Sequence, residues 1–218
     1  MTPPYILRPM KVSDIEQVNE IERQSFTMPW SALTYVYEIR QNHHAHMGVL
    51  ELPNQPPPQT GYRPFERLQV LFRPLTKSAP INHTLVAYGG MWFRDGEAHV
   101  STIASHPDYR GRQLGELMLQ GLVFKGLALE ADRLVLEVRV SNTVAQRLYR
   151  KYGFEITNRI ANYYRDNHED AYIMTVSPID TAYRARLQEN LDTLRGRLAF
   201  SDSFTGLEIN TFNPDAES

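Results

Sequence analysis

The stretch RLVLEVRV at residues 133–140 sets the frame for this chain. It is nearly continuously apolar, as a strand buried on both faces is, and such strands occur where helices cover a sheet. The flanking segments fit that reading. TLVAYGGMWF (84–93) and EAHVSTIAS (97–105) read as strands joined by RDGE, whose Asp95 and Gly96 signal a hairpin. A helix is expected over residues 114–130, with Leu117, Met118, Gly121 and Leu122 inward. A second is expected in NTVAQRLYRKY (142–152), stopped by Gly153, before the closing strands FEIT (154–157) and AYIMTV (171–176).

The N-terminal part follows the same grammar. YILRP (5–9) reads as a strand. SDIEQVNEIERQSF begins with Ser13 and has Glu16 three residues on, a capping-box spacing, with Ile15, Val18 and Ile21 at helical intervals. A further helix after Pro29 takes Ser31 as its cap, and HMGVLEL (46–52) reads as a strand. The expectation is an α/β domain over residues 1–176, with a mixed, mostly antiparallel sheet flanked by helices.

Two segments stand apart. Residues 53–80 hold seven of the 14 prolines, which resists regular packing and reads as an insertion or long loop, with ERLQVLF as its ordered piece. Residues 177–218 read as a helical extension with a frayed end at NPDAES. There Tyr183, Leu187, Leu191, Leu194 and Leu198 form an apolar stripe that must pack on the domain's own surface or on a second subunit, which would make a homodimer.

The chain has 218 residues, a net charge of −2 and no cysteine. The charge gives no overall footprint for nucleic acid. Lack of cysteine removes disulfides, thiolate metal sites and cysteine nucleophiles, and suits a reducing cytoplasm. MTPPYILRPM does not read as a signal peptide, and no apolar run reaches the roughly 18 residues that span a bilayer. The expectation is a cytoplasmic protein without a membrane segment. His43, His44 and His46 lack a neighbouring carboxylate or cysteine to complete a metal set, so they read as a surface turn and no metal is expected.

YRGRQLGE (109–116) joins glycine, arginine and a helix start. Unpaired amides and the helix dipole favour an anion there, but basic turns before helices are common, so anion site and plain surface turn both stand. No Gly-Lys-Ser/Thr follows and three spaced glycines are lacking, which excludes a triphosphate loop and a dinucleotide fingerprint. In its setting, STIASHPDYRGRQLGELML resembles the acyl-coenzyme A loop of the GCN5-related N-acetyltransferases: Gln or Arg, two residues, Gly, one residue, Gly or Ala. That register takes Arg110, Gly111, Arg112, Gln113, Leu114 and Gly115, with Gln113 in place of a glycine. Residues 136–174 and MPWS (28–31) resemble the ribosomal-protein alanine N-acetyltransferases of the RimI type. The resemblance covers about residues 5–50 and 85–176.

It implies acetyl-coenzyme A as cofactor and direct attack of an amine on its thioester, without a covalent enzyme intermediate. Glu137 sits mid-strand, where an ionisable group is either a base raised by burial or half of an ion pair, for example with Arg139. The resemblance makes it the proton acceptor. It makes Tyr149, otherwise a packing aromatic, the proton donor to the thiolate. Asn142, by pattern a helix cap, falls on a cofactor contact. The backbone of Ile103, Ala104 and Ser105 matches the strand that pairs with the pantetheine arm, and the amides of residues 111–116, through Glu116, the pyrophosphate cradle. Gln113 can still donate its amide if its φ stays negative. Phe26, Met28, Trp30, Tyr163 and Tyr164 would line the acceptor groove; their plain reading is packing.

The amine can be argued from magnitudes. Deprotonation at pH 7 costs about 1 kcal/mol for an α-amino group and about 4.6 kcal/mol for lysine. The expected acceptor is a protein N-terminus, such as a ribosomal protein beginning with alanine. Lysine or a small amine is the alternative within the chemistry, and a non-catalytic coenzyme A or peptide-binding module the alternative outside it.

Overall fold

Strand pairing begins at the first described residues, in a computed structural model that describes residues 4–55 and 82–206. β1 (Tyr5–Pro9) lies antiparallel to β2 (Ala45–Pro53), β2 to β3 (His83–Arg94), and β3 to β4 (Glu97–Ser105) across the expected turn. β4 runs parallel to β5 (Arg133–Arg139), and β5 pairs antiparallel with β7 (Glu169–Val176), which carries β6 (Glu155–Tyr164) on its far side. β8 (Phe200–Asp202) adds parallel to β1, giving an eight-stranded mixed sheet in the order β6-β7-β5-β4-β3-β2-β1-β8.

Helices cover both faces. α1 (Ile15–Ser25) and α2 (Ala32–Arg40) bury Ile15, Val18, Ile21 and Tyr35 against Val49, Leu85 and Tyr88 on one face. α3 (Leu114–Ala128), α4 (Thr143–Lys151) and α5 (Thr181–Arg195) join the larger core on the other. α3 is buried on nearly every side, because sheet, α4 and extension enclose it. The Ser31 side chain caps α2 by accepting from Thr34 N at 3.1 Å.

Several expectations need correction. Ser13 caps nothing: a 3-10 turn over Val12–Asp14 precedes α1, and Asp14 takes the Lys11 amide (2.7 Å) and the Arg8 guanidinium (2.7 Å). β5 is not buried on both faces. Leu134, Leu136 and Val138 are buried, whereas Val135, Glu137 and Arg139 are half-buried on the face that α3 does not cover. β8 has no sequence counterpart; three residues are too short to show a period, and pairing with β1 alone makes them a strand. The proline-rich stretch from residue 56 on, ERLQVLF within it, and NPDAES lie outside the described residues. Among the described residues no helix is long and apolar enough to cross a membrane.

The apolar stripe of the extension packs on its own chain. Tyr183, Leu187, Leu191 and Leu194 are buried in the larger core, and Leu198, past the helix end, packs against it half-buried. That leaves no apolar face of α5 for a second subunit. Leu187→Ala, at a fully enclosed site, is therefore expected to lower unfolding free energy by about 3 kcal/mol in urea titration, with no change in mass by light scattering.

Candidate active site

Parallel pairing of β4 with β5 covers Glu97 to Val100 against Arg133 to Leu136 and then stops, although both strands continue. A register shift between Gly90 and Met91 on β3 accompanies the parting. Amides alternate sides along a strand, and His106 N donates to Val86 O of β3 at 2.9 Å. The odd-numbered amides, Ile103 and Ser105 among them, therefore face the gap, with Ala104 between them turned to β3. These half-buried backbone groups are left to water or to a ligand, and an extended, polar-edged ligand would pair them.

At one end of this gap stands the loop before α3. Arg110 is extended, Gly111 has φ of 77° and Gln113 has φ of 61°. The condition of a negative φ at Gln113 is thus not met: glutamine takes the left-handed conformation that glycine would take freely, because the chain must reverse into α3 here. Gln113 O accepts from Leu117 N at 3.0 Å, so Leu114, Gly115 and Glu116 present first-turn amides that have no acceptor within the helix.

The cradle has room. A Cβ at Gly111 would meet nothing within 4 Å, and one at Gly115 only Ser105 Oγ at 3.4 Å. Arg110 NH2 donates to Ser25 Oγ at 3.2 Å and the Arg112 guanidinium lies 4.9 Å over the Tyr109 ring; neither forms an ion pair among the described residues. The Glu116 carboxylate is neutralised by Lys151. Open space, free amides and two unpaired cations at a helix start fit a phosphate group, which supports the anion reading over a plain surface turn.

Glu137 projects from β5 at the gap, but its partner is not Arg139. His99 Nε2 donates to Glu137 Oε2 at 2.7 Å. This hydrogen bond, aided by the charges of Glu137 and Glu97 and opposed by burial, raises the His99 pKa above 6.5. Arg139 turns instead to Asp166, Glu169 and the Tyr164 ring, 3.8 Å from its guanidinium. Sequence reading missed His99. The signal was there, a polar residue in a strand facing the same way as Glu137, but the strand order that joins them was not.

Aromatic rings lead to this pair. Trp30 stacks on Trp92 at 6.2 Å, and Trp92 meets His99 edge-on at 5.7 Å. Trp30 is fixed from below, its amide donating to buried Glu22 at 3.3 Å. On the other side Tyr163 and Tyr164 lie edge to face at 5.1 Å, and burial followed by the Glu137 charge holds the Tyr163 hydroxyl up. Thr27 donates to Asp166 in the β6–β7 turn, so the α1–α2 loop and the β6–β7 hairpin meet beside Glu137. Phe26 and Met28, either side of Thr27, are exposed at this rim, as is Tyr163.

Tyr149 arrives from α4 on the opposite face. Its ring lies 6.1 Å from Phe154, burial pushes its hydroxyl up to about 12, and that hydroxyl has no hydrogen-bond partner among the described residues. Tyr164 bridges the two sides. Burial first, then Tyr163, Glu137 and Tyr149, against the opposing Arg139, lift it to about 12. Asn142 acts as the cap of α4, its Oδ1 accepting from Ala145 N at 3.1 Å. The arrangement offers a carboxylate able to accept a proton, a phenol that stays protonated near neutrality, and a backbone slot between them.

Comparison with known proteins fits this geometry. The model of the acetyltransferase (GNAT) family matches residues 15–154. A putative [ribosomal protein bS18]-alanine N-acetyltransferase of Bacillus subtilis is 36% identical over 171 residues, 78% of this chain and 94% of that protein. An N-alpha-acetyltransferase of Sulfurisphaera tokodaii is 31% identical over 172 residues, 78% of this chain and 91% of that protein. The crystal structure of the ribosomal-protein-S18-alanine N-acetyltransferase from Escherichia coli superposes with a TM-score of 0.60 at 25% identity, covering 81% of this chain and 95% of that one.

Two measurements test the geometry. His99 is expected to titrate above 6.5 by NMR and to fall towards that value in Glu137→Gln. Because its folded pKa is raised, the pair's stabilisation is complete below pH 6.5 and is lost as pH rises through the folded value. Gln113→Gly should be neutral or stabilising by up to about 1 kcal/mol in urea titration, since relief of left-handed strain exceeds the added chain entropy, whereas Gln113→Val should destabilise.

Proposed function

The chain belongs to the acetyltransferase (GNAT) family, and we propose that it acetylates the N-terminal amine of a protein, with acetyl-coenzyme A as donor and a ribosomal protein beginning with alanine as the acceptor class. The observation that carries this reading is the parting of β4 and β5 with Glu137 on one face and Tyr149 on the other. When bound, acetyl-coenzyme A supplies an acetyl thioester that the amine attacks directly, the thiolate leaving.

The chain's residues divide the remaining work. The amides of residues 111–116, with Arg110 and Arg112, would hold the pyrophosphate, and Ile103 to Ser105 would align the pantetheine arm along the strand edge, with Asn142 at its α4 side. Amides facing the gap also polarise the carbonyl. Glu137, hydrogen-bonded to His99, receives a proton from the incoming ammonium through water, which leaves the neutral amine free to attack. Tyr149, with its pKa pushed up to about 12, keeps its proton at neutral pH and would supply it to the leaving sulfur.

The acceptor enters between the α1–α2 loop and the β6–β7 hairpin. Phe26, Met28, Trp30, Tyr163 and Tyr164 contact its first residues there. An α-amine suits this machinery because its deprotonation costs about 1 kcal/mol at pH 7, within reach of a carboxylate acting through water.

The test is acetylation of an alanine-initiated peptide, read by mass spectrometry, beside a lysine peptide with its N-terminus blocked. Modification of the first and not the second is expected; equal modification of both overturns the N-terminal assignment. Glu137→Gln and Tyr149→Phe should each lower kcat by about 100-fold, the scale of lost acid–base catalysis.

A further inference from the structure

We propose that the C-terminal extension positions Tyr149, by gripping the last turn of the short helix that carries it. The inference rests on the reading of Tyr149 as proton donor and adds to it a device outside the stretch that resembles the family. The last carbonyls of a helix have no partner within it and are met by water, caps or side chains. At the end of α4 three consecutive carbonyls, the last two of the helix and that of its cap Tyr152, are met from α5. Arg186 NH2 donates to Arg150 O at 2.9 Å, Asn190 Nδ2 to Lys151 O at 3.4 Å, and the Tyr183 hydroxyl to Tyr152 O at 3.1 Å.

The donors stand three and four residues apart, so they share one face of α5. The apolar stripe of Leu187, Leu191 and Leu194 seats that helix in the core, and Asp180 caps its start by accepting from Tyr183 N at 2.8 Å. The Arg186 cation also faces the negative end of the α4 dipole. The grip is thus a set of directed bonds carried by an element that packing has already fixed.

The same turn is held from its other side. Lys151 pairs with Glu116, and the Tyr152 hydroxyl lies 2.9 Å from Gln120 Oε1 and 3.2 Å from Glu116 Oε1. Glu116 belongs to the first turn of α3, whose amides face the phosphate cradle. Tyr149 sits inside this clamped turn, its carbonyl accepting from Tyr152 N and Phe154 N at 3.0 Å each. With nine residues, α4 is too short to hold its end unaided, and a frayed turn would carry the phenol away from the sulfur it serves. The clamp sets the proton donor and the cradle in one frame.

The test pairs Arg186→Ala/Asn190→Ala with Tyr149→Phe, in the full chain. Arg186 is exposed and Asn190 half-buried, so the fold should survive; circular dichroism and the thermal midpoint check this. The double variant is expected to lower kcat about tenfold with both KM values unchanged, since small misplacement of a reacting group costs rate rather than binding. Arg186→Lys in the Asn190→Ala background should restore part of the loss. In the Tyr149→Phe background the double substitution should lower kcat no further. An equal tenfold loss in both backgrounds would mean general support of the fold and would overturn the proposal. An unchanged rate in the double variant overturns it alone; full activity of Tyr149→Phe overturns the role of Tyr149 and the proposal with it.

Discussion

Beyond Val100 and Leu136 two neighbouring parallel strands stop exchanging hydrogen bonds, and the backbone groups they release must find partners elsewhere. The sheet tolerates this because each strand stays paired on its other side, β4 with β3 as far as Ser105 and β5 with β7 as far as Arg139. The gap is therefore a rigid slot. It brings three things together: strand-edge amides, the start of α3 at one end, and side chains from both faces of the sheet.

The two faces have separate jobs. α1 and α2 bury a smaller core and set Trp30 on Trp92, which leads by way of His99 to Glu137. The opposite face carries the larger core, on which α4 and α5 rest and against which Tyr149 of α4 packs. Because the carboxylate and the phenol approach from opposite faces, each is supported by its own core and neither depends on a mobile tip. The proposed proton acceptor and the proposed proton donor are thus held on separate supports.

Arg139 illustrates how a short-range reading can mislead. It lies two residues from Glu137 on the same strand face, and spacing alone makes it a partner. Arg139 is drawn instead to Asp166 and Glu169 at the far end of a hairpin, where two carboxylates and the Tyr164 face hold a planar guanidinium better than one carboxylate beside it. Glu137 is left to His99, 38 residues away, as its close partner.

Most strands and helices were legible because their periods are local: the apolar runs of β3 to β5, the Ser31 cap and the leucine stripe each need only a few neighbouring residues to declare themselves. The loop before α3 was legible for the same reason, whereas the roles proposed for Glu137 and Tyr149 came from the family resemblance and not from any local period. What the tertiary structure alone decided is non-local. Which strands are neighbours sets the His99–Glu137 pair; the reversal into α3 sets the positive φ at Gln113; and the crossing of the extension from β7 to β8 brings Arg186 and Asn190 to the end of α4. A sequence prescribes the hydrogen-bonding groups a segment must satisfy, but only the packed sheet order selects which distant partners satisfy them.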